Sequence, residues 1–172
     1  MNLKKLTTLA MFTTLALIIF TVENAIPPLV PIPGIKLGLA NIITLVVLQN
    51  YSAKDALLVL IMRILLSTFF FGQAVSLLYS LAGGLLCFAA MVLIHRMLQG
   101  HFLYLVSVVG ALFHNLGQFA VAFLITEVPG VLVYLPFLLI SGLITGLFTG
   151  LCAHFMQKYL LPLTTGSRSS AK

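Results

Sequence analysis

The stretch Ala74 to Ile94, AVSLLYSLAGGLLCFAAMVLI, runs for 21 residues without a charged side chain or a proline. About 20 predominantly apolar residues in a helix cross a hydrocarbon core of roughly 30 Å. In lipid a segment must satisfy its own backbone hydrogen bonds, and a helix does so internally. Residues 74–94 therefore read as a membrane-crossing helix, and the sequence on both sides repeats the pattern. Leu6 to Ile26 is a first apolar run of spanning length. Pro27-Pro28-Leu29-Val30-Pro31-Ile32-Pro33-Gly34 follows, and its four prolines fix φ and remove amide donors, so an ordered extended loop is expected. Ile35 to Gln49 is short for a full crossing and should be tilted, re-entrant or lengthened by the loop. Asp55 to Phe71, broken by Gly72, makes a third span, with Ala74 to Ile94 the fourth. Phe102 to Thr126 and Val131 to Gln157 complete the set. The expected fold is an all-α integral membrane protein with six transmembrane helices. One domain covers residues 1–160 and a polar tail covers 161–172.

Composition agrees. Of the 172 residues, 61% are hydrophobic and only 7% charged, against about 25% charged in ordinary soluble domains; the mean hydropathy is +1.19. So few charges cannot cover a water-facing surface, so membrane lipid is the expected solvent. Lys4 and Lys5 before an apolar run resemble the start of a signal peptide. That run continues for about 20 residues with no small-x-small cleavage site before Glu23, so it reads as a retained first span. The net charge of +6 is spread singly, without the aromatic-interleaved basic patch of a nucleic-acid binder. Alternating spans put Lys4, Lys5, Lys54, Arg96, Lys158, Arg168 and Lys172 on one side. Only Lys36 falls on the other, and Arg63 lies within a span. By the positive-inside rule both termini are expected in the cytoplasm of a multi-pass protein of the cytoplasmic membrane.

Small residues mark two packing faces. Gly142, Gly146 and Gly150 recur every fourth residue beside Ser141, Thr145 and Thr149, which lets a neighbouring helix approach closely. Thr7, Ala10, Thr13, Thr14 and Leu17 make a second small-residue face, which either packs internally or docks a separate membrane subunit.

Polar side chains inside apolar spans cost free energy and ask for a partner or a role. Arg63 lies eight residues past Asp55, about 12 Å into the membrane. It reads either as a fixed cation for an anionic ligand or as a structural arginine that bonds helix-end carbonyls. His114 and Gln118 share a helix face with Asn115 between them, and this trio either lines a cavity or ties helices together. Glu23 closes the first span, Lys36 opens the second and Asn41 follows. Counted along the helices, these groups converge in the outer half of the membrane beneath the proline-rich loop. The helix start after Pro33-Gly34, with Lys36 beside it, is either an anion site or an ordinary turn.

Several chemistries are excluded. The chain has three acidic residues, Glu23, Asp55 and Glu127, far apart in sequence. No catalytic residue, metal site or cofactor is expected, because neither a carboxylate cluster for Mg²⁺ nor a Walker-type phosphate loop is present. Cys87 and Cys152 form neither a ligand spacing nor a disulfide framework.

The stretch Pro33-Gly34-Ile35-Lys36-Leu37-Gly38-Leu39-Ala40-Asn41-Ile42-Ile43-Thr44-Leu45 resembles the signature of a bacterial membrane family, the Gx transporter family, also labelled heptaprenyl diphosphate synthase component I. Arg63, Gly72 and His114-Asn115-Leu116-Gly117-Gln118 are further matches, and the likeness runs from Glu23 to about Tyr159. That family is in turn similar to the substrate-binding S components of energy-coupling factor (ECF) transporters. These are six-helix proteins that capture vitamins from outside under a loop between their first two helices. They work with a transmembrane coupling subunit and two ATPases, docking through an Ala-x-x-x-Ala motif; here Ala10-x-x-x-Thr14 is a small-residue version of it. The resemblance implies a capture protein for a vitamin- or cofactor-like small molecule, bound by Glu23, Lys36, Asn41, Arg63, His114, Asn115 and Gln118. Its second label implies instead a non-catalytic membrane subunit of polyprenyl diphosphate or quinone biosynthesis, partnered by a soluble prenyltransferase.

Overall fold

A computed structural model describes residues 3–25, 36–71 and 74–160, apart from the side chains of residues 159 and 160. The Pro27–Gly34 loop, Gly72 and the 161–172 tail lie outside the described residues. Every regular element among the described residues is helical. α1 spans Leu3–Ala25, α2 Asn41–Asn50, α3 Ala53–Phe71, α4 Ala74–Met97, α5 Leu103–Thr126 and α6 Leu135–Phe155. A 3-10 turn at Pro129–Tyr134 leads into α6, and a π turn at Met156–Leu160 follows it.

Among the described residues, four segments are long and apolar enough to cross a membrane: α1, α4, α5, and α6 with its flanking turns. The other two helices depart from the expected spans, each for a visible reason. α3 has 19 residues but carries Lys54, Asp55 and Arg63. α2 has only 10 residues, about 15 Å of helix. The expected run from Ile35 is shortened because Gly38 adopts φ +80° and residues 39–40 form a turn. The turn closes through Asn41 N–H donating to the Gly38 carbonyl at 3.0 Å, so the helix starts at Asn41. Every residue from Asn41 to Leu48 is buried. A helix apolar on all faces is an enclosed one, and α2 is surrounded by protein rather than lipid.

Tertiary contacts show that the helices alternate in direction. The starts of α1 and α3 meet through the Lys5–Asp55 ion pair at 2.8 Å. Their far ends meet through the Phe20 and Phe71 rings, 5.8 Å apart. The end of α2 joins the end of α4 where Gln49 Oε1 lies 2.6 Å from His95 Nε2. Gln49 also donates to the Gly100 carbonyl at 3.1 Å, in the turn before α5. The start of α5 pairs with the end of α6 through Tyr104 and His154, whose rings are 5.7 Å apart. Lys4, Lys5, Lys54, Arg96 and Lys158 thus belong to one end of the bundle, and Lys36 and Glu127 to the other.

Burial is inverted relative to a water-soluble protein. Phe69, Leu124 and Ile144 are among many large apolar side chains that point outward, while Arg63, His114, Asn115 and Gln118 are enclosed. This is the arrangement expected when lipid bathes the surface. The close seams are made by missing side chains. A Cβ on Gly146 would come within 2.6 Å of Val108 Cα on α5, and one on Gly150 within 3.0 Å of Tyr104 Cα. A Cβ on Gly117 would lie 2.7 Å from the Ala82 carbonyl oxygen of α4. With backbones this close, dispersion and hydrogen bonds such as Ser107–Thr149 at 2.6 Å hold helices together without a hydrophobic driving force.

Candidate functional site

The C-terminal end of α1, the segment before α2, and the middles of α3, α4 and α5 meet at one polar cluster. Glu23, 5% exposed, ends α1 and turns its carboxylate inward. Its Oε1 accepts from Gly38 N–H at 2.6 Å, with Ala40 N–H a second backbone neighbour. This bond needs Gly38: a Cβ there would lie 2.7 Å from His114 Cδ2 and 2.9 Å from Asn41 Nδ2. The left-handed backbone of Gly38 therefore lies directly on the His114 ring.

Two further contacts fasten the 36–41 segment onto α5. Lys36 N–H donates to Gln118 Oε1 at 3.2 Å, and Asn41 Nδ2 donates to His114 Nδ1 at 3.2 Å. With Nδ1 accepting, the neutral ring carries its proton on Nε2. That nitrogen is buried beside the Gly83 backbone of α4 and makes no hydrogen bond of acceptable geometry. Gly83 permits this approach, because a Cβ there would lie 2.9 Å from both Gln118 Cγ and the His114 carbonyl.

Arg63 of α3 is 4% exposed, and its Nε and Nη2 are buried without a hydrogen-bond partner. Its guanidinium carbon lies 6.0 Å from the Phe20 ring centroid, and Lys36 Nζ sits 3.8 Å from the same centroid. Glu23 is the anionic neighbour of both cations. Even so, Lys5–Asp55 is the one ion pair within 4.0 Å among the described residues. The cluster thus contains more donors than acceptors.

Toward the end of the bundle a narrow cleft opens, lined by Phe20, Lys36, Ser67, Thr68, Phe71 and Ser76. Neither Arg63 nor His114 lines this cleft; Phe20, which does, has its ring centroid 6.0 Å from the guanidinium carbon.

Glu23, Lys36, Asn41, His114 and Gln118 are brought into one contact network, with Arg63 adjoining it. Asn115 turns the other way. Its Nδ2 donates to the Leu138 carbonyl at 2.6 Å and to Ser141 Oγ at 3.3 Å, tying α5 to α6, while its Oδ1 stays buried and unpaired. Gly142, Gly146 and Gly150 all face α5. Ala10 and Thr14 lie on the exposed side of α1, where Thr14 Oγ1 donates back to the Ala10 carbonyl at 3.0 Å. Phe20, Ser67, Thr68, Phe71 and Ser76 were not singled out from sequence. Phenylalanine and serine within an apolar run carry no signal of their own there. Gly83 was legible only as half of a Gly-Gly pair in the fourth span.

The described residues form an all-helical protein with segments apolar enough to cross a membrane and a donor-rich polar cluster enclosed among them. The chain belongs to the heptaprenyl diphosphate synthase component I family, whose model matches residues 12–156. That match runs from within α1 to the end of α6 and so takes in every residue of the cluster. Comparison with curated proteins returns no match. Comparison with solved structures likewise returns none.

Proposed function

We propose that the chain is a non-catalytic membrane component of polyprenyl diphosphate synthesis. It holds a small molecule in the buried cluster while a separate soluble subunit carries out prenyl transfer. The separation of the carboxylates carries this reading. A prenyl diphosphate leaving group calls for Mg²⁺ held by clustered carboxylates. Asp55 pairs with Lys5 at one end of α1, and Glu23 lies 18 residues further along, about 27 Å of helix away. Glu127 is exposed beyond α5. The family match supports the metabolic setting, and the buried unpaired Arg63 supports the binding role.

In this reading the helical bundle lies in the bacterial cytoplasmic membrane with both termini inside, and α2 reaches only part of the way across. Support comes from the alternating helix directions and from the gathering of basic residues at one end. One domain, residues 1–160, carries the function. The exposed Thr7, Ala10 and Thr14 face of α1 is open to a membrane partner.

A second reading, capture of a vitamin- or cofactor-like solute in the manner of an ECF S component, draws on one observation. The 36–41 segment closes over Glu23, His114 and Gln118 at the bundle end opposite the basic residues. Purifying the protein from its host without added ligand separates the two. Recovery of a soluble prenyltransferase, identified by mass spectrometry, is the expected result. Recovery of a coupling subunit with ATPases, and no prenyltransferase, overturns the first reading in favour of the second.

A further inference from the structure

The turn that joins α4 to α5 breaks local rules that its own packing does not repay. Gln99, Gly100 and Phe102 all have left-handed backbones, with φ of 50°, 79° and 57°. Glycine takes that conformation freely, but a bulky residue there is an outlier that costs on the order of 1 kcal/mol or more. Phe102 also precedes the first turn of α5, where Ser, Thr, Asp or Asn would bond a free amide and where Phe bonds none. Burial does not compensate, because Phe102 is 66% exposed. Met97, at the end of α4, is 69% exposed. Outliers that the surroundings hold in place concentrate at functional positions, and the surroundings here are firm. The Gly100 amide donates to the His95 carbonyl at 3.0 Å, and the His101 amide to the Leu98 carbonyl at 2.9 Å. From beneath, Gln49 of α2 bonds both His95 and the Gly100 carbonyl.

Position and charge say what meets this turn. α4 and α5 have 24 residues each, about 36 Å of helix, more than the roughly 30 Å of a hydrocarbon core. The connecting turn therefore reaches the water side of the membrane. Arg96 and His101 flank the two apolar side chains, and Lys4, Lys54 and Lys158 are exposed at the same end of the bundle. Of the three acidic residues in the chain, Asp55 is buried against Lys5, and Glu23 and Glu127 belong to the opposite end. Residues 161–172 add Arg168 and Lys172 and no acid. The complementary charge has to come from another molecule. Anionic lipid headgroups suit the cations, but lipid accepts an apolar side chain in any posture and does not call for a strained, clamped one. A protein pocket does, since a preorganised aromatic anchor loses little freedom on docking.

We infer that the α4–α5 turn is the docking element for the soluble subunit. Phe102 and Met97 enter an apolar pocket on that subunit, and the pocket's rim is acidic where it faces Arg96. The inference rests on reading the chain as the membrane partner of a soluble prenyltransferase. It adds where the two meet and what the partner's surface carries.

The test quantifies, by mass spectrometry, the soluble prenyltransferase that co-purifies with the full chain from its host. Phe102→Asn keeps the left-handed backbone at lower cost, so the thermal unfolding midpoint should hold or rise. Recovery of the prenyltransferase should nevertheless fall at least about tenfold. Arg96→Glu should lower recovery several-fold, and wild-type recovery should decline as salt is raised. Leu132→Asn, exposed at the opposite end, should leave recovery unchanged. If Phe102→Asn destabilises the chain, Arg96→Glu decides alone. Full recovery in Arg96→Glu, or in a stable Phe102→Asn, overturns the docking element and leaves the prenyltransferase reading standing. The same full recovery, joined to a Phe102→Asn midpoint that falls in phosphatidylglycerol nanodiscs but not in phosphatidylcholine, assigns the turn to lipid headgroups instead. An equal loss in Leu132→Asn overturns the placement of the interface at this end. Absence of any prenyltransferase with the wild-type chain overturns both the docking element and the reading beneath it.

Discussion

Gly38 shows how much the cluster depends on single atoms. Its φ of +80° is a region that residues with a Cβ rarely occupy, and the added atom would strike the His114 ring at 2.7 Å. Gly38→Ala should therefore destabilise the protein by about 2–4 kcal/mol, combining backbone strain with overpacking. A lowered thermal unfolding midpoint in detergent measures this. Glu23→Ala leaves the Gly38 N–H without its acceptor and should cost about 1–3 kcal/mol, whereas Glu23→Gln keeps an acceptor oxygen and should cost less. The same thermal assay ranks the pair. Depth along a helix can be counted from sequence, and that count groups Glu23, Lys36, Asn41, His114 and Gln118. Direction around the helix cannot be counted. Asn115 follows His114 by one residue, about 100° around the axis, so it bonds to α6 while its neighbour faces α2. Azimuth is decided by which helices pack beside α5, and a single sequence does not state it.

At the level of elements, α5 is the hub. One side receives α4 through Gly83 and Gly117, and another receives α6 through Gly142, Gly146 and Gly150. The glycine spacing on α6 was readable as a close-packing seam; its partner helix was not. Substitutions along α6 should grade with what each Cβ would meet. Gly146→Ala confronts the Val108 Cα at 2.6 Å, a backbone atom that cannot swing away, and should cost about 1–3 kcal/mol. Gly130→Ala meets only a Val128 methyl at 3.6 Å and should change the unfolding midpoint little. Equal effects at the two positions would contradict the seam. α2 teaches the reverse lesson. Its apolar run extends to Ile35 in sequence, yet the helix waits until Asn41 because Gly38 is needed as an unwound contact on His114.

For the molecule as a whole, the alternating helices place Lys54 and Glu127 at opposite ends, both exposed. With the amino terminus in the cytoplasm, Glu127→Cys should react with a membrane-impermeant maleimide added to intact cells. Lys54→Cys should react only after permeabilisation. The chain without these substitutions, with Cys87 buried and Cys152 partly buried, is the control. Reversal of the labelling would invert the orientation and put the cleft at the cytoplasmic end.

The amino-acid sequence by itself determines that this is a helical membrane protein. Apolar runs of spanning length in a chain with 7% charged residues leave lipid as the only solvent that suits its surface. Only the tertiary structure decides that α2 is an enclosed half-length helix, that Asn115 belongs to a seam, and that Arg63 presents a bare guanidinium edge. The physical reason is common to all three: each depends on how backbone and side chains meet neighbours that are distant in the chain.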